Sequence, residues 1–85
     1  MGDMDDTRYL RVFAEVIRGF RNEAGLSQTD LSEKCGIDRS YISEIEKGAR
    51  NPSLGVLLKL AEGLSVPLSV LIIRTEILLM EGNGL

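Results

Sequence analysis

The segment from Gln28 to Asn51 constrains the fold more than any other stretch of this 85-residue chain. Two short runs of helical periodicity flank a glycine, Gly36, with room between them only for a tight turn. Small or apolar residues stand at Leu31, Ser32 and Cys35, where two helices joined in this way must touch. Ile37, Ile42 and Ile45 then seat the second helix on the first. Gly36 supplies the left-handed backbone of the turn, a conformation that side-chain-bearing residues resist. No one position is diagnostic, but their agreement leaves the outward face of the second helix free to enter a groove.

The flanking sequence extends this pair into a bundle. Asp6 or Thr7 can cap a first helix in which Leu10, Phe13, Ala14, Ile17 and Ala24 form a stripe, widened by Val12, Val16 and Phe20. Gly25 stops it. Ser27 opens the second helix, with Asp30 three residues on as in a capping box. Asp38 caps the third helix and Gly48 ends it, and Ala49 to Pro52 form a loop. Ser53 caps a fourth helix with Leu54, Leu57, Leu58, Ala61 and Leu64 as its apolar set. Pro67 suits the first turn of a fifth, where Leu68, Leu71, Ile72, Ile77, Leu78 and Leu79 run towards Met80. The pattern predicts an all-α, five-helix fold in one domain over residues 7–81, between a flexible acidic tail (1–6) and a frayed tail (82–85).

Composition narrows the function. The chain has no His and a single cysteine, Cys35, which lacks any partner for a metal, a disulfide or a nucleophile–base pair. No phosphate-binding glycine loop is present. These features predict no enzyme activity, metal or cofactor, and no small-molecule site is evident. The apolar stretch from Val66 to Met80 is broken by Ser69, Arg74, Thr75 and Glu76, so no membrane span is expected. With no signal-like leader, the expected location is cytoplasmic. The net charge of −3 argues against strong non-specific attraction to nucleic acid. Five acidic residues fall between Asp30 and Glu46. Specific binding through a few placed cations remains compatible with that balance.

The stretch LSQTDLSEKCGIDRSYISEIEKGARNPSL resembles the XRE, or lambda-repressor-like, class of DNA-binding domains, and the likeness extends roughly from Leu10 to Leu71. Within it, DRSYISEIEKGARNPS is similar to the controller proteins of restriction–modification systems. Ser32 departs from the Ala usual in the class. The resemblance implies a five-helix fold and a transcriptional regulator that binds a dyad-symmetric operator in double-stranded DNA as a homodimer. An antitoxin or adaptor on the same fold is the rival reading.

The resemblance also distributes roles. It points Gln28, with Thr29 beside it, and the Tyr41 hydroxyl towards phosphates, and it pairs Arg21 with Glu46 as an internal ion pair. First-turn solvation of Gln28 and partial burial of Tyr41 against the fourth helix are the structural alternatives. Arg39, Ser40, Ser43 and Glu44 lie opposite Ile42 and Ile45. Their chemistry suits base edges: Arg to guanine O6 and N7, Ser to base or phosphate, Glu to cytosine N4. Glu44 has a second reading, as an anchor for Arg39 or Lys47. Lys47, Arg50 and Asn51 are placed to clamp the flanking backbone. A homodimer is expected through the fourth and fifth helices. Leu71, Ile73, Ile77, Leu78 and Met80 are its candidate interface, since so much apolar surface exceeds what one small bundle covers. The alternative is that the last turns fold back onto the first helix.

Overall fold

Local hydrogen bonding fixes where each helix begins. Ser27 accepts from the Asp30 N–H at 2.9 Å while the Asp30 carboxylate accepts from the Ser27 N–H at 2.9 Å, a complete capping box. The Asp38 carboxylate accepts from the Ser40 N–H at 3.1 Å, and the Ser53 hydroxyl accepts from the Val56 N–H at 3.2 Å. In the computed structural model, which describes residues 6–83, these caps delimit five helices. They are α1 (Asp6–Glu23), α2 (Gln28–Cys35), α3 (Arg39–Glu46), α4 (Leu54–Gly63) and α5 (Leu68–Asn83). Asp6 and Thr7 therefore lie inside the first turn of α1 rather than before it. Of the tail expected over residues 1–6, residues 1–5 lie outside the described residues, as do Gly84 and Leu85. Gly82 and Asn83, expected to fray, continue the α5 backbone.

Helix ends repeat one device. Gly25 and Gly48 adopt φ near +75° and close paired bonds back into α1 and α3, from Leu26 N to Arg21 O and from Ala49 N to Glu44 O. At the end of α4 the same bonds form, Ser65 N to Glu62 O and Val66 N to Ala61 O, but the left-handed residue is Ser65, φ 61°. Nothing in the apolar pattern marks that position, because a serine carries no turn signal as strong as glycine.

The core gathers Phe13, Val16 and Ile17 of α1, Leu31 and Cys35 of α2, Ile37, Ile42 and Ile45, Leu60, Ala61 and Leu64, and Leu71 of α5. α1 packs along α5 and against α3, while α2 packs on α3 and α4. The Ser32 hydroxyl donates to Ile37 O at 2.5 Å, so the residue that departs from the class bridges the turn it borders. Two expectations about the core need correction. α4 presents Leu60 and Gly63 inward, leaving Leu54 (65% exposed) and Leu58 (52%) at the surface. Ala24 is exposed because α1 has already ended. Thr75 is buried, its hydroxyl donating to Leu71 O one turn back at 2.8 Å, which makes it tolerable inside a helix interface.

α2 and α4 approach closely at Gly63. A Cβ there would stand 2.9 Å from both Cys35 Cβ and Leu31 Cδ1. Gly63→Ala is expected to lose about 1–3 kcal/mol by forcing these helices apart. Urea unfolding followed by circular dichroism measures this; an unchanged midpoint would show that the contact can relax freely.

Candidate nucleic-acid interface

The interface is built outward from a buried carboxylate. Glu46, at the end of α3, is 3% exposed and would be costly there without compensation. Arg21 of α1 meets it twice, Nε to Oε2 at 2.7 Å and Nη2 to Oε1 at 2.9 Å. The remaining arm of Arg21 donates to Leu26 O at 2.8 Å, and Arg18 donates to the Glu46 carbonyl. The hydrogen bonds from Arg21 to Glu46, with their Coulombic attraction, hold its guanidinium pKa above the ordinary value although burial opposes this.

The network continues to the surface through Gln28. Its Nε2 donates to Glu46 Oε1 at 3.0 Å, and its Oε1 accepts from Arg39 Nη1 at 3.2 Å. Arg39 is the first residue of α3 and exposed, so the best base-reading candidate is held through one amide by the buried pair. The sequence carried no signal for this role of Gln28, because the first residue of α2 and the last of α3 meet only through the tertiary packing.

The other expected site residues are distributed as follows. Ser40 is exposed, but its hydroxyl donates to the Asp38 carboxylate, so its proton is engaged in the cap. These bonds from Ser40 hold the Asp38 carboxyl below the usual range; those from Ser27 do the same for Asp30. Ser43 is half-buried, and Thr29, Lys47, Arg50 and Asn51 are exposed. Glu44 holds neither Arg39 nor Lys47: its Oε1 accepts from Arg50 Nε at 2.6 Å. The chain turns back at Gly48, which brings Arg50 over α3 and leaves the other two cations elsewhere. The Arg50 guanidinium also stands 4.7 Å from the centroid of the Tyr41 ring, a cation–π contact. Tyr41 is half-buried and packs against the core.

Of the five acidic residues that depress the local charge, four thus have partners: Asp30 and Asp38 in caps, Glu46 with Arg21, and Glu44 with Arg50. The exposed face of α3 and the loop after it carry Arg39, Lys47 and Arg50.

A second surface lies on α4 and α5, which meet at a bend of 103°. On α4 Leu54 and Leu58 are exposed, and on α5 Val70, Ile73, Ile77 and Met80. Leu71, expected at the interface, is fully buried in the domain core and drops out of that set; Leu78 is half-buried against the same core. Among the described residues no single helix is long and apolar enough to cross a membrane.

Residues 17–71 match the sequence model of the helix-turn-helix family. The control protein C.SmaI of Serratia marcescens is 38% identical over 63 residues, 74% of this chain and 75% of that protein. The restriction–modification controller protein C.AhdI of Aeromonas hydrophila superposes with a TM-score of 0.72 at 42% identity, covering 73% of this chain and 94% of that one. For the wild-type controller protein C.Esp1396I the values are 0.78 and 33%, covering 85% and 95%. An uncharacterised HTH-type transcriptional regulator of Mycobacterium tuberculosis is 40% identical over 62 residues, and this chain spans 44% of its length.

Glu46→Gln is expected to destabilise the fold by about 3 kcal/mol, since it leaves the Arg21 charge inside the domain without its counter-ion. Thermal or urea unfolding checks the loss. A change under about 0.5 kcal/mol would mean that Gln28 and the backbone carbonyls suffice to hold Arg21.

Proposed function

This chain belongs to the helix-turn-helix family of DNA-binding transcriptional regulators, and from that premise we propose that it is a controller-type, sequence-specific regulator acting in the cytoplasm. In this reading it binds a dyad-symmetric operator as a homodimer. The observation that carries it is the Arg39–Gln28–Glu46–Arg21 chain of hydrogen bonds, which fixes an exposed arginine on the free face of α3. Pre-organised Arg suits the O6 and N7 acceptors of guanine in the major groove. Ser43 stands on the same side of the helix, with Ser40 able to accept rather than donate and Glu44 assigned to a cytosine. Thr29 and Gln28 at the start of α2, with Tyr41, Lys47, Arg50 and Asn51, are assigned to the phosphates. Helix N-termini carry free N–H groups suited to such anions.

The homodimer is assigned to the α4–α5 surface, with Ile73, Ile77 and Met80 at its centre and Leu78 at its margin. Leu54 and Leu58 of α4, exposed although periodicity placed them in the core, are assigned to the same interface. Two-fold pairing there gives each α3 a half-site about one helical turn, roughly 34 Å, from the other.

Arg39→Ala is expected to retain the fold and to lose about 1–3 kcal/mol per half-site in operator binding, that is about 5- to 150-fold. The operator is obtained by selection from random duplexes, where enrichment of a palindrome is the expected result. Unchanged binding by the variant would remove Arg39 from base reading; absence of enrichment would favour a protein-interaction module. Ile77→Lys is expected to yield a monomer in sedimentation velocity. A dimer of undiminished affinity would move the interface elsewhere.

A further inference from the structure

We propose that Glu44 sets how well this protein discriminates its operator from other DNA, by neutralising Arg50 in an ion pair that non-operator duplexes must compete with. The inference rests on the DNA-binding reading above and adds to it a residue that acts through another.

Tyr41 and Glu44 are three residues apart on α3 and so lie on one face of the helix. Both engage Arg50 from the loop beyond, Tyr41 beneath the guanidinium and Glu44 on its Nε. The side chains of Arg50 and Glu44 are 52% and 45% exposed. A pair so hydrated adds little to stability, so it is not there to hold the fold. Its effect on a polyanion is larger than that. The pair has no net charge, and Arg50 is one of three cations on the α3 face and the loop after it. With a protein of net charge −3, cancelling one of them removes much of the local attraction for phosphate.

The same carboxylate meets different surroundings on different duplexes. Against an arbitrary sequence, Glu44 holds Arg50 back from the phosphates, so every duplex is disfavoured alike. A site that places a cytosine N4 donor near Glu44 offsets this, because the carboxylate then accepts a hydrogen bond while the remaining N–H groups of Arg50 turn to the backbone. The penalty is general and the compensation local, which is how a repulsive element creates specificity.

The test is a double-mutant cycle of Glu44→Gln, Arg50→Ala and the double variant, with Glu33→Gln on α2 as the charge-matched control. Binding to a random-sequence duplex and to the selected palindrome is measured as a function of salt, and folding is checked by thermal unfolding. Glu44→Gln is expected to tighten random-duplex binding about five- to tenfold near 0.1 M salt and to steepen its salt slope by about 0.9 per protomer, as one added phosphate contact does. Operator affinity should change less, so the ratio falls. In the Arg50→Ala background the gain should vanish, and Glu33→Gln should not produce it. The proposal is overturned if Glu44→Gln leaves random-duplex affinity and slope at wild-type values, or if its gain persists without Arg50. Failure of wild type and all variants to bind either duplex would instead overturn the DNA-binding reading, and this one with it.

Discussion

The meeting of Arg21 and Glu46 is the constraint on which the rest of the molecule turns. A carboxylate at 3% exposure is tolerable only because a bidentate guanidinium, an amide and the neighbouring arginine surround it. These partners come from α1 and the start of α2, while the carboxylate comes from the end of α3. One charge therefore gathers three helices. A buried pair of this kind adds little net stability compared with a well-packed apolar replacement, but it is directional where aliphatic contacts are not. Ile17, Ile42 and Ile45 could slide against one another by a fraction of a turn at small cost. The fork of Arg21 on Glu46 admits one register, and that register sets the angle at which α3 presents its outer face.

Net charge misleads as a guide to this surface because it counts groups without asking what each one does. Asp30 and Asp38 are held by backbone and hydroxyl donors at helix starts, and their lowered pKa values follow from those bonds. Glu46 is inside. The acidic composition of Asp30 to Glu46 is thus largely the chemistry of capping and internal pairing, written in a segment that has two helix starts and one buried charge. Asp30 and Asp38 still carry their negative charge at the surface, so the cations of this face are sparse and stand among fixed anions. A surface of that kind cannot hold arbitrary DNA tightly, and the proposed operator contacts must supply what long-range attraction does not.

Much of the architecture was legible because its causes are local. A cap needs a short oxygen-bearing side chain and a partner two or three residues away, so Ser27, Asp38 and Ser53 could be read directly, as could the turn at Gly36. Ser65 escaped notice because a left-handed serine leaves no mark in composition, and its conformation is enforced by the bonds that close α4. The error at α4 has a similar origin. Its leucines occur nearly all round the helix, and periodicity alone could not choose Leu60 over Leu54 and Leu58. The choice was made by Gly63, whose missing side chain lets α2 approach on that side. Within the candidate site, residue types and exposure were readable, but partners were not. Nothing in the order of residues indicates that Gln28 joins Arg39 to Glu46, or that the path after Gly48 brings Arg50, rather than Lys47, to Glu44.

These partnerships bear on how a dimer would use the two surfaces together. If each protomer reads one half-site, any free energy gained or lost at α3 is counted twice in the complex. A difference of about fivefold per protomer becomes about 25-fold for the pair, because the two free energies add. Weak devices such as the Glu44–Arg50 pair therefore acquire leverage through symmetry that they lack in a monomer. The same doubling applies to the fixed pose of Arg39, where an error in the angle of α3 would be repeated at the second half-site. On this argument the buried pair, the exposed pair and the apolar surface of α4 and α5 belong to one problem. On the proposed reading, a small domain with few cations would obtain discrimination from orientation, repetition and the pairing of its charges rather than from their number.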